Sequence, residues 1–177
     1  MILHFKNIKW QTEEYRKVKE LYVKAFPEAE RFHTWQLLVM ALRKKARFQA
    51  IYNETEFVGL IFLVEGETAV YLAYLAIISA KHGQGYGTKV LQALRKNYYN
   101  KDIILDIEPI NSLALNYNQR VKRLHFYERN GFKQTGKKLI DAEGQYAIMT
   151  TGTVFKAEIL NQLLHYMSFG LHKFKVE

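Results

Sequence analysis

The sequence predicts a single α/β domain with seven strands and five helices. Two observations support this class. Segments with apolar residues at helical spacing and shorter segments typical of strands follow one another along the whole chain, without a repeat or a linker. In addition, 49% of the 177 residues are hydrophobic and 14% are aromatic, which supplies one core without disulfides or metal.

The first half of the chain is predicted to hold four strands and two helices. In order, they are a strand over 2–9, a helix over 11–25, a helix from Thr34, the expected N-cap, to Ala46, and strands over Phe48–Tyr52, Phe57–Val64 and Ala69–Ile78. The second helix is expected to pack through Trp35, Leu38, Val39, Leu42 and Ala46. The last strand is apolar throughout, which is typical of a central strand buried on both faces.

The second half is predicted to hold three helices and three strands after a glycine-rich segment, His82–Gly87. These elements are a helix over Tyr86–Tyr98, a strand over Ile103–Glu108, a helix over Tyr117–Glu128, strands over Phe132–Ile140 and Gln145–Thr151, and a helix over Phe155–Gly170. The final helix carries an apolar stripe, which we interpret as intramolecular packing. A homodimer interface and a lid over a substrate pocket are the alternatives.

Charge and the missing cysteines limit the classes of function. The 26 Lys and Arg residues exceed the 17 Asp and Glu residues, and the net charge of +9 favours polyanionic partners. The net charge alone does not distinguish nucleic acid, membrane headgroups and a phosphate-bearing ligand as the partner. The absence of cysteine excludes a disulfide framework, a thiolate zinc site and a cysteine nucleophile. The six histidines show no HxxxH or HExxH spacing, so we expect no metal.

We expect a cytoplasmic protein with no membrane partner. The longest apolar run, residues 69–80, has twelve residues, and a membrane-spanning helix needs about twenty. The first residues also do not place a charged leader before a hydrophobic stretch and a small-residue cleavage site, as a secretory signal would.

The glycine-rich segment lies between a buried strand and a helix, an arrangement that gathers unpaired backbone N–H groups at one point. Gly83, Gly85 and Gly87 allow backbone conformations and a close approach that side chains would block. The segment therefore predicts a phosphate site, and an ordinary glycine turn is the alternative. The Rossmann and P-loop patterns do not fit, because both need a glycine at Thr88 and the P-loop also needs a hydroxyl residue at Val90.

Two motifs resemble those of the GNAT superfamily of N-acetyltransferases. The segment HGQGYG over His82–Gly87 fits the family's [R/Q]-x-x-G-x-[G/A] at every position except His82. The segment LHFYERNGF over Leu124–Phe132 is similar to the family's [L/F]-Y-x-x-x-G-F. Arg120 and Arg123 depart from the pattern, since the family often has Asn and Ala at these positions.

The resemblance covers about residues 1–151 and implies a mixed, mostly antiparallel seven-strand sheet. The helix over 155–170 would then be an added C-terminal element within one domain over 1–177. The resemblance also implies an acyltransferase that moves an acetyl group from acetyl-CoA, its co-substrate, to a primary amine by direct transfer through a tetrahedral intermediate. The acceptor would be a small-molecule or peptide amine.

The resemblance further implies which residues bind the coenzyme. Main-chain amides of the glycine-rich loop would hold the pyrophosphate, and the backbone at the end of the fourth strand would receive the thioester carbonyl and the pantetheine arm. The residues concerned are Leu75, Ala76, Ile77, His82, Gly83, Gln84, Gly85, Tyr86, Gly87 and Thr88.

Tyr127 occupies the tyrosine position of the second motif and is the expected general acid. A phenol with a pKa of about 10 can protonate a thiolate with a pKa of about 8.5 and still be protonated at neutral pH. A base is also needed, because an alkylammonium acceptor has a pKa of about 10.4. Asp106 and Glu108 lie on the same side of the fifth strand, and we expect Glu108 to be that base. Two alternatives are a structural role for both acids beside Lys or Arg, and a water chain as the base.

Acidic residues are expected around the acceptor, where they would attract a cation to an otherwise basic protein. The candidates are Glu28 and Glu30, in the loop between the first two helices, and Asp106. Two functions of other classes stay open, a nucleic-acid-binding module that uses the basic surface and a catalytically silent sensor of acetyl-CoA. Tyr71 and Phe62 lie in apolar runs and are expected in the core, which argues against nucleic-acid binding through strand aromatics.

Overall fold

The computed structural model of the protein describes residues 2–28, 31–171 and 173–177. The strands are β1 (Leu3–Asn7), β2 (Ala46–Asn53), β3 (Glu56–Glu65), β4 (Ala69–Ile77), β5 (Asp102–Ile107), β6 (Lys133–Ile140), β7 (Gln145–Thr150) and β8 (Lys175–Val176). The α-helices are α1 (Glu13–Ala25), α2 (Thr34–Ala41), α3 (Tyr86–Asn97), α4 (Tyr117–Arg129) and α5 (Ala157–Met167).

The strands form one mixed sheet in the order β1-β2-β3-β4-β5-β7-β6-β8. β4 and β5 are parallel, whereas β1–β2, β2–β3, β5–β7, β6–β7 and β6–β8 are antiparallel pairs. The predicted α/β class with a mostly antiparallel sheet is confirmed. Seven of the strands match the sequence prediction, and the two-residue β8 was not predicted because so short a segment carries no periodicity.

The chain groups into two compact units. The first contains the described residues up to Glu65 together with Leu72–Asn97, and therefore β1–β3, most of β4 and α1–α3. The second contains Gly66–Tyr71 and Tyr98–Glu177, and therefore the start of β4, β5–β8, α4 and α5.

The core of the first unit is aromatic. Thr12 begins α1 by accepting a hydrogen bond from the backbone N–H of Tyr15, and the helix then buries Val18, Leu21 and Tyr22. The ring of Tyr22 lies 5.0 Å from that of Tyr74 on β4. Other rings of this cluster belong to Phe26, Phe48 and Phe62. The full burial of Phe62 agrees with its predicted place in the core.

The packing face predicted for α2 is wrong. The helix buries Leu37 and Met40, while Trp35, Val39 and Leu42 are 53%, 44% and 85% exposed. The helix also ends at Ala41, and Ala46 belongs to β2. The segment TWQLLVMA is apolar around most of its circumference, so helical spacing alone fits two faces equally well. Its N-cap is His33 rather than Thr34, with Gln36 completing the capping box.

The second unit places β5 between the start of β4 and β7. On α5, Leu160, Leu163, Leu164 and Met167 are buried, as expected for a stripe that packs within the molecule. Tyr71, at the start of β4, is 4% exposed, in agreement with its predicted place in the core. None of the helices in the described part of the chain is long and apolar enough to cross a membrane.

Candidate active site

The predicted phosphate loop connects β4 to α3 in the first unit. A single 3-10 turn, Ser79–Lys81, follows β4, and residues 82–85 then form an exposed turn that leads into α3. Gly83 and Gly85 have φ angles of +74° and +81°, in the left-handed region that favours glycine. A Cβ at either position would meet nothing within 4 Å. Backbone conformation, rather than crowding by the protein, therefore explains these two glycines.

The first turn of α3 contains N–H groups that have no partner within the helix. The backbone N–H of Lys89 donates to the Gly85 carbonyl at 3.0 Å and closes the first turn of the helix. The N–H groups of Tyr86, Gly87 and Thr88 consequently have no partner within the helix. Together with the positive end of the helix dipole, these groups can bind an anion.

Side chains of the loop hold its shape. Nε2 of His82 lies 2.7 Å from the carbonyl oxygen of Ile77, the last residue of β4. The Gln84 amide donates to the Ala80 carbonyl at 2.8 Å. Lys81 pairs with Glu56 at 2.8 Å, and its ammonium lies 5.8 Å from the centre of the Tyr86 ring. The histidine that departs from the expected motif thus ties the loop to the end of the strand.

The predicted thioester-binding residues lie at the end of β4. Ala76 is buried, and Leu75 and Ile77 are half-buried. The parallel register of β4 with β5 contains three pairs and ends with Tyr71 opposite Ile104, although β4 continues to Ile77.

Tyr127 lies near the end of α4 in the second unit. Its ring is half-buried and lies 5.5 Å from the ring of Phe132. Burial raises the pKa of Tyr127 to about 12, the nearby Arg123 guanidinium opposes this rise, and the Asp106 carboxylate adds to it. The phenol is therefore protonated at neutral pH and has a proton to donate.

The two acids predicted on β5 have different surroundings. The half-buried Asp106 accepts a hydrogen bond of 2.5 Å at Oδ1 from the hydroxyl of Tyr71. Glu108, just beyond β5, pairs through Oε1 with Arg120 and through Oε2 with Arg123, each at 2.8 Å. The Asn116 amide also donates to Oε1 of Glu108 at 3.0 Å. This geometry supports the structural role that the sequence left open for Glu108.

The remaining predicted residues concern the acceptor. Glu28 is exposed just after α1 in the first unit, and its role stays a prediction. Glu30 lies outside the described residues. Within 2–28, 31–171 and 173–177, no group of three or more His, Asp or Glu side chains is placed to hold a metal ion. The structure thus places the loop and the end of β4 in the first unit, and Asp106, Glu108 and Tyr127 in the second.

Comparison with known proteins identifies the family. A family profile described as an acetyltransferase (GNAT) domain matches residues 44–134, just over half of the chain. The chain belongs to the GNAT acetyltransferases. This match contains the predicted phosphate loop, Asp106, Glu108 and Tyr127, and the resemblance predicted from the two motifs is confirmed.

Other GNAT proteins are similar to this one in sequence or in fold. YjbC of Bacillus subtilis (strain 168), named as a candidate acetyltransferase, is 28% identical over 100 residues, or 52% of this chain and 50% of that protein. The chain spans about half the length of the curated relatives it matches. A candidate acetyltransferase of the GNAT family from Bacteroides thetaiotaomicron has the same fold, with a TM-score of 0.74, 21% identity and coverage of 95% and 99% of the two chains. An aminoglycoside 6'-N-acetyltransferase in complex with coenzyme A gives a TM-score of 0.64, 18% identity and coverage of 88% and 99%.

Two features of this GNAT protein were missed from the sequence. Arg120 and Arg123 appeared only as departures from the family motif, although their spacing of three places them on one helical face that an acid could pair with. That signal could have linked them to Glu108. The bond between Tyr71 and Asp106 had no sequence signal, because it depends on the register of β4 against β5.

Proposed function

We propose that the protein is an N-acetyltransferase that moves the acetyl group of acetyl-CoA directly to a primary amine. The observation that carries the proposal is the loop from His82 to Gly85, with two glycines in left-handed conformation before a helix whose first N–H groups have no partner within that helix. Family membership supports the same reaction. The compartment proposed for it is the cytoplasm, on the sequence expectation alone.

The pyrophosphate of acetyl-CoA is the proposed ligand of this loop. Gly83 and Gly85 leave open space where side chains would stand, so an anion can approach the main chain closely. The N–H groups of Tyr86, Gly87 and Thr88 are the proposed donors. The related aminoglycoside acetyltransferase structure contains coenzyme A, which supports the choice of ligand. Backbone amides of Leu75, Ala76 and Ile77 are proposed to receive the thioester and pantetheine groups.

Tyr127 is the proposed general acid. When the C–S bond of the tetrahedral intermediate breaks, sulfur leaves as a thiolate, and the phenol supplies its proton. The raised pKa of Tyr127, about 12, keeps the phenol protonated over the whole range in which amines are acetylated. Among the described residues, the Tyr127 hydroxyl makes no hydrogen bond that would have to break before it donates.

The proposed acceptor is a primary amine on a small molecule or a peptide. An ammonium group is attracted by carboxylates, and Glu28 is exposed in the connection after α1. Glu28 and Asp106 are therefore the proposed acceptor contacts within the described residues, and Glu30 is proposed on the sequence alone.

A thiol-release assay tests this function. Acetyl-CoA is mixed with the protein and with a polyamine, an aminoglycoside, an amino acid, a peptide with an open amino terminus or a lysine peptide, and the appearance of the CoA thiol is followed. We expect amine-dependent release with at least one acceptor, and a kcat roughly 10²- to 10⁴-fold lower for Tyr127→Phe with little change in the KM for acetyl-CoA.

The same samples distinguish the other functions. Thermal stabilisation by acetyl-CoA without thiol release from any amine would favour a silent sensor. Salt-sensitive binding of oligonucleotides without any thermal shift from acetyl-CoA would favour a nucleic-acid-binding module. Either result contradicts the proposed acetyl transfer.

A further inference from the structure

We infer that Asp106, oriented by Tyr71, takes the proton from the acceptor ammonium, whereas Glu108 holds α4 in place. This inference rests on the proposed acetyl transfer. It assigns different roles to two acids that are two residues apart in the sequence, Asp106 on β5 and Glu108 just beyond the end of that strand.

Asp106 is oriented by a buried donor. Tyr71 lies at the last pair of the β4–β5 register, opposite Ile104, and its hydroxyl reaches two residues further along β5 to Oδ1 of Asp106. Tyr71 is buried, while Asp106 keeps part of its surface exposed. A carboxylate in a fixed orientation with solvent access can accept a proton from a substrate and return it to water.

Asp106 also acts electrostatically on the proposed acid. Its carboxylate adds to the raised pKa of the Tyr127 phenol. Across the antiparallel register with β7, the residue opposite Asp106 is the uncharged Ile148. Tyr71 on β4 and Tyr127 on α4 are two titratable groups that interact with Asp106, and Arg123 on α4 acts on Tyr127.

Glu108 is engaged elsewhere. Each of its carboxylate oxygens binds a different arginine, and Asn116 donates a further hydrogen bond. The Arg120 guanidinium also donates to the Pro109 carbonyl at 2.9 Å and to the Asn116 amide oxygen at 2.7 Å. A proton on Glu108 would remove the charge that both guanidinium groups bind. The network instead joins the end of β5 to the first turns of α4, the helix that carries Tyr127.

The proton and electron movements balance. Asp106 accepts a proton from the ammonium, and the neutral amine then forms a C–N bond to the thioester carbonyl carbon. The C–S bond breaks as the intermediate collapses, and sulfur keeps the electron pair and takes the Tyr127 proton. The nitrogen of the product loses its second proton to water, Tyr127 regains a proton, and Asp106 releases its proton to solvent.

The pH dependence of kcat with an alkylamine acceptor tests the assignment. From pH 7 to 9, the neutral fraction of an amine with a pKa of about 10.4 rises close to 100-fold. For Asp106→Asn we expect a kcat at least tenfold below wild type at pH 7 that recovers about tenfold for each pH unit, while wild type depends on pH less steeply. Tyr71→Phe should show the same trend more weakly, with an unchanged KM for acetyl-CoA.

Two variants serve as controls, and circular dichroism with an acetyl-CoA titration checks that each variant folds. Glu108→Gln should lower the melting temperature but keep the pH slope of wild type. Asp102→Asn changes another acid of β5, whose carboxylate packs against Gly152, and should also keep that slope.

The outcomes separate the inference from the proposed function. If wild type releases thiol but Asp106→Asn and Tyr71→Phe keep its pH profile, the assignment is overturned and acetyl transfer stands. If kcat of Glu108→Gln rises steeply with pH, while kcat of Asp106→Asn changes with pH as in wild type, Glu108 is the base instead. If wild type releases no thiol with any amine, the result contradicts the proposed acetyl transfer itself, and with it the role of Asp106. Should Asp106→Asn not fold, Tyr71→Phe alone decides, because it retains the carboxylate.

Discussion

The backbone of Ala76 passes so close to Gly59 that a Cβ at residue 59 would lie 2.4 Å from the Ala76 carbonyl oxygen. Ile77 could adjust, since the contact at 2.9 Å involves the end of its side chain, but the carbonyl belongs to the main chain of β4. Gly59 has no left-handed backbone angle, so close packing of β3 on β4 explains the glycine.

Gly59→Ala should therefore move the end of β4, where the thioester is proposed to bind. We expect a loss of about 1–3 kcal/mol in the free energy of unfolding and a higher KM for acetyl-CoA. Urea denaturation and thiol-release kinetics measure the two effects. Gly136→Ala is the matched control, because it introduces backbone strain at φ +73° in β6 without crowding. An unchanged KM for Gly59→Ala would show that β4 absorbs the methyl group without affecting the coenzyme.

His82 gives a second prediction, about the shape of the proposed phosphate loop. Its ring is 2.7 Å from the Ile77 carbonyl, and removal of one such hydrogen bond costs about 1 kcal/mol. His82→Ala should thus weaken coenzyme A binding about fivefold by isothermal titration calorimetry. His82→Gln should retain most of the affinity, because its amide can donate to the same carbonyl.

The control for His82 is His4→Ala, which removes an exposed histidine from β1. Its affinity for coenzyme A should match that of wild type. Equal affinities of His82→Ala and wild type for coenzyme A would show that the two glycines and the helix determine the conformation of the loop, and that the His82 hydrogen bond does not contribute.

The raised pKa of Tyr127 predicts a loss of stability in alkali. In the unfolded chain the phenol ionises near pH 10, whereas in the folded protein its pKa is about 12. Between these values the unfolded state releases the proton and the folded state keeps it, so the free energy of unfolding falls as the pH rises. The difference amounts to about 2–3 kcal/mol. Below pH 10 this group contributes no pH dependence.

Urea denaturation at pH 9, 10, 11 and 12 measures this effect, with Tyr127→Phe as the comparison. The difference in the free energy of unfolding between Tyr127→Phe and wild type should be nearly constant from pH 9 to 10. By pH 12 wild type should have lost stability relative to the variant. Tyr99→Phe is a suitable control, because the Tyr99 ring is 86% exposed. A constant gap up to pH 12 would show that Tyr127 ionises as an ordinary phenol.

Much of the fold followed from local patterns. The apolar run of β4 and the glycines after it predicted a strand, a loop and a helix in the order that the structure shows. The motif around Tyr127 predicted the position of α4. Glycine spacing was sufficient for the loop because its conformation is a property of those residues themselves.

The partners of the acids could not be predicted in the same way. Asp106 and Glu108 look alike in sequence, yet one binds a tyrosine and the other two arginines. The difference arises from strand register and from the position of α4 against β5, which are tertiary properties. Short-range spacing also failed for α2, where apolar residues on both sides left the buried face undetermined.

The two faces of α2 provide the last prediction. Leu37 is fully buried, whereas Trp35, two positions earlier, is 53% exposed. Leu37→Ala should lower the free energy of unfolding by about 2–5 kcal/mol, since it leaves a cavity in the core of the first unit. Trp35→Gln should change it by no more than about 0.5 kcal/mol, because the indole is largely in water already. Urea denaturation of both variants shows which face of α2 is buried. A larger loss in the free energy of unfolding for Trp35→Gln than for Leu37→Ala would favour the face that the sequence predicted.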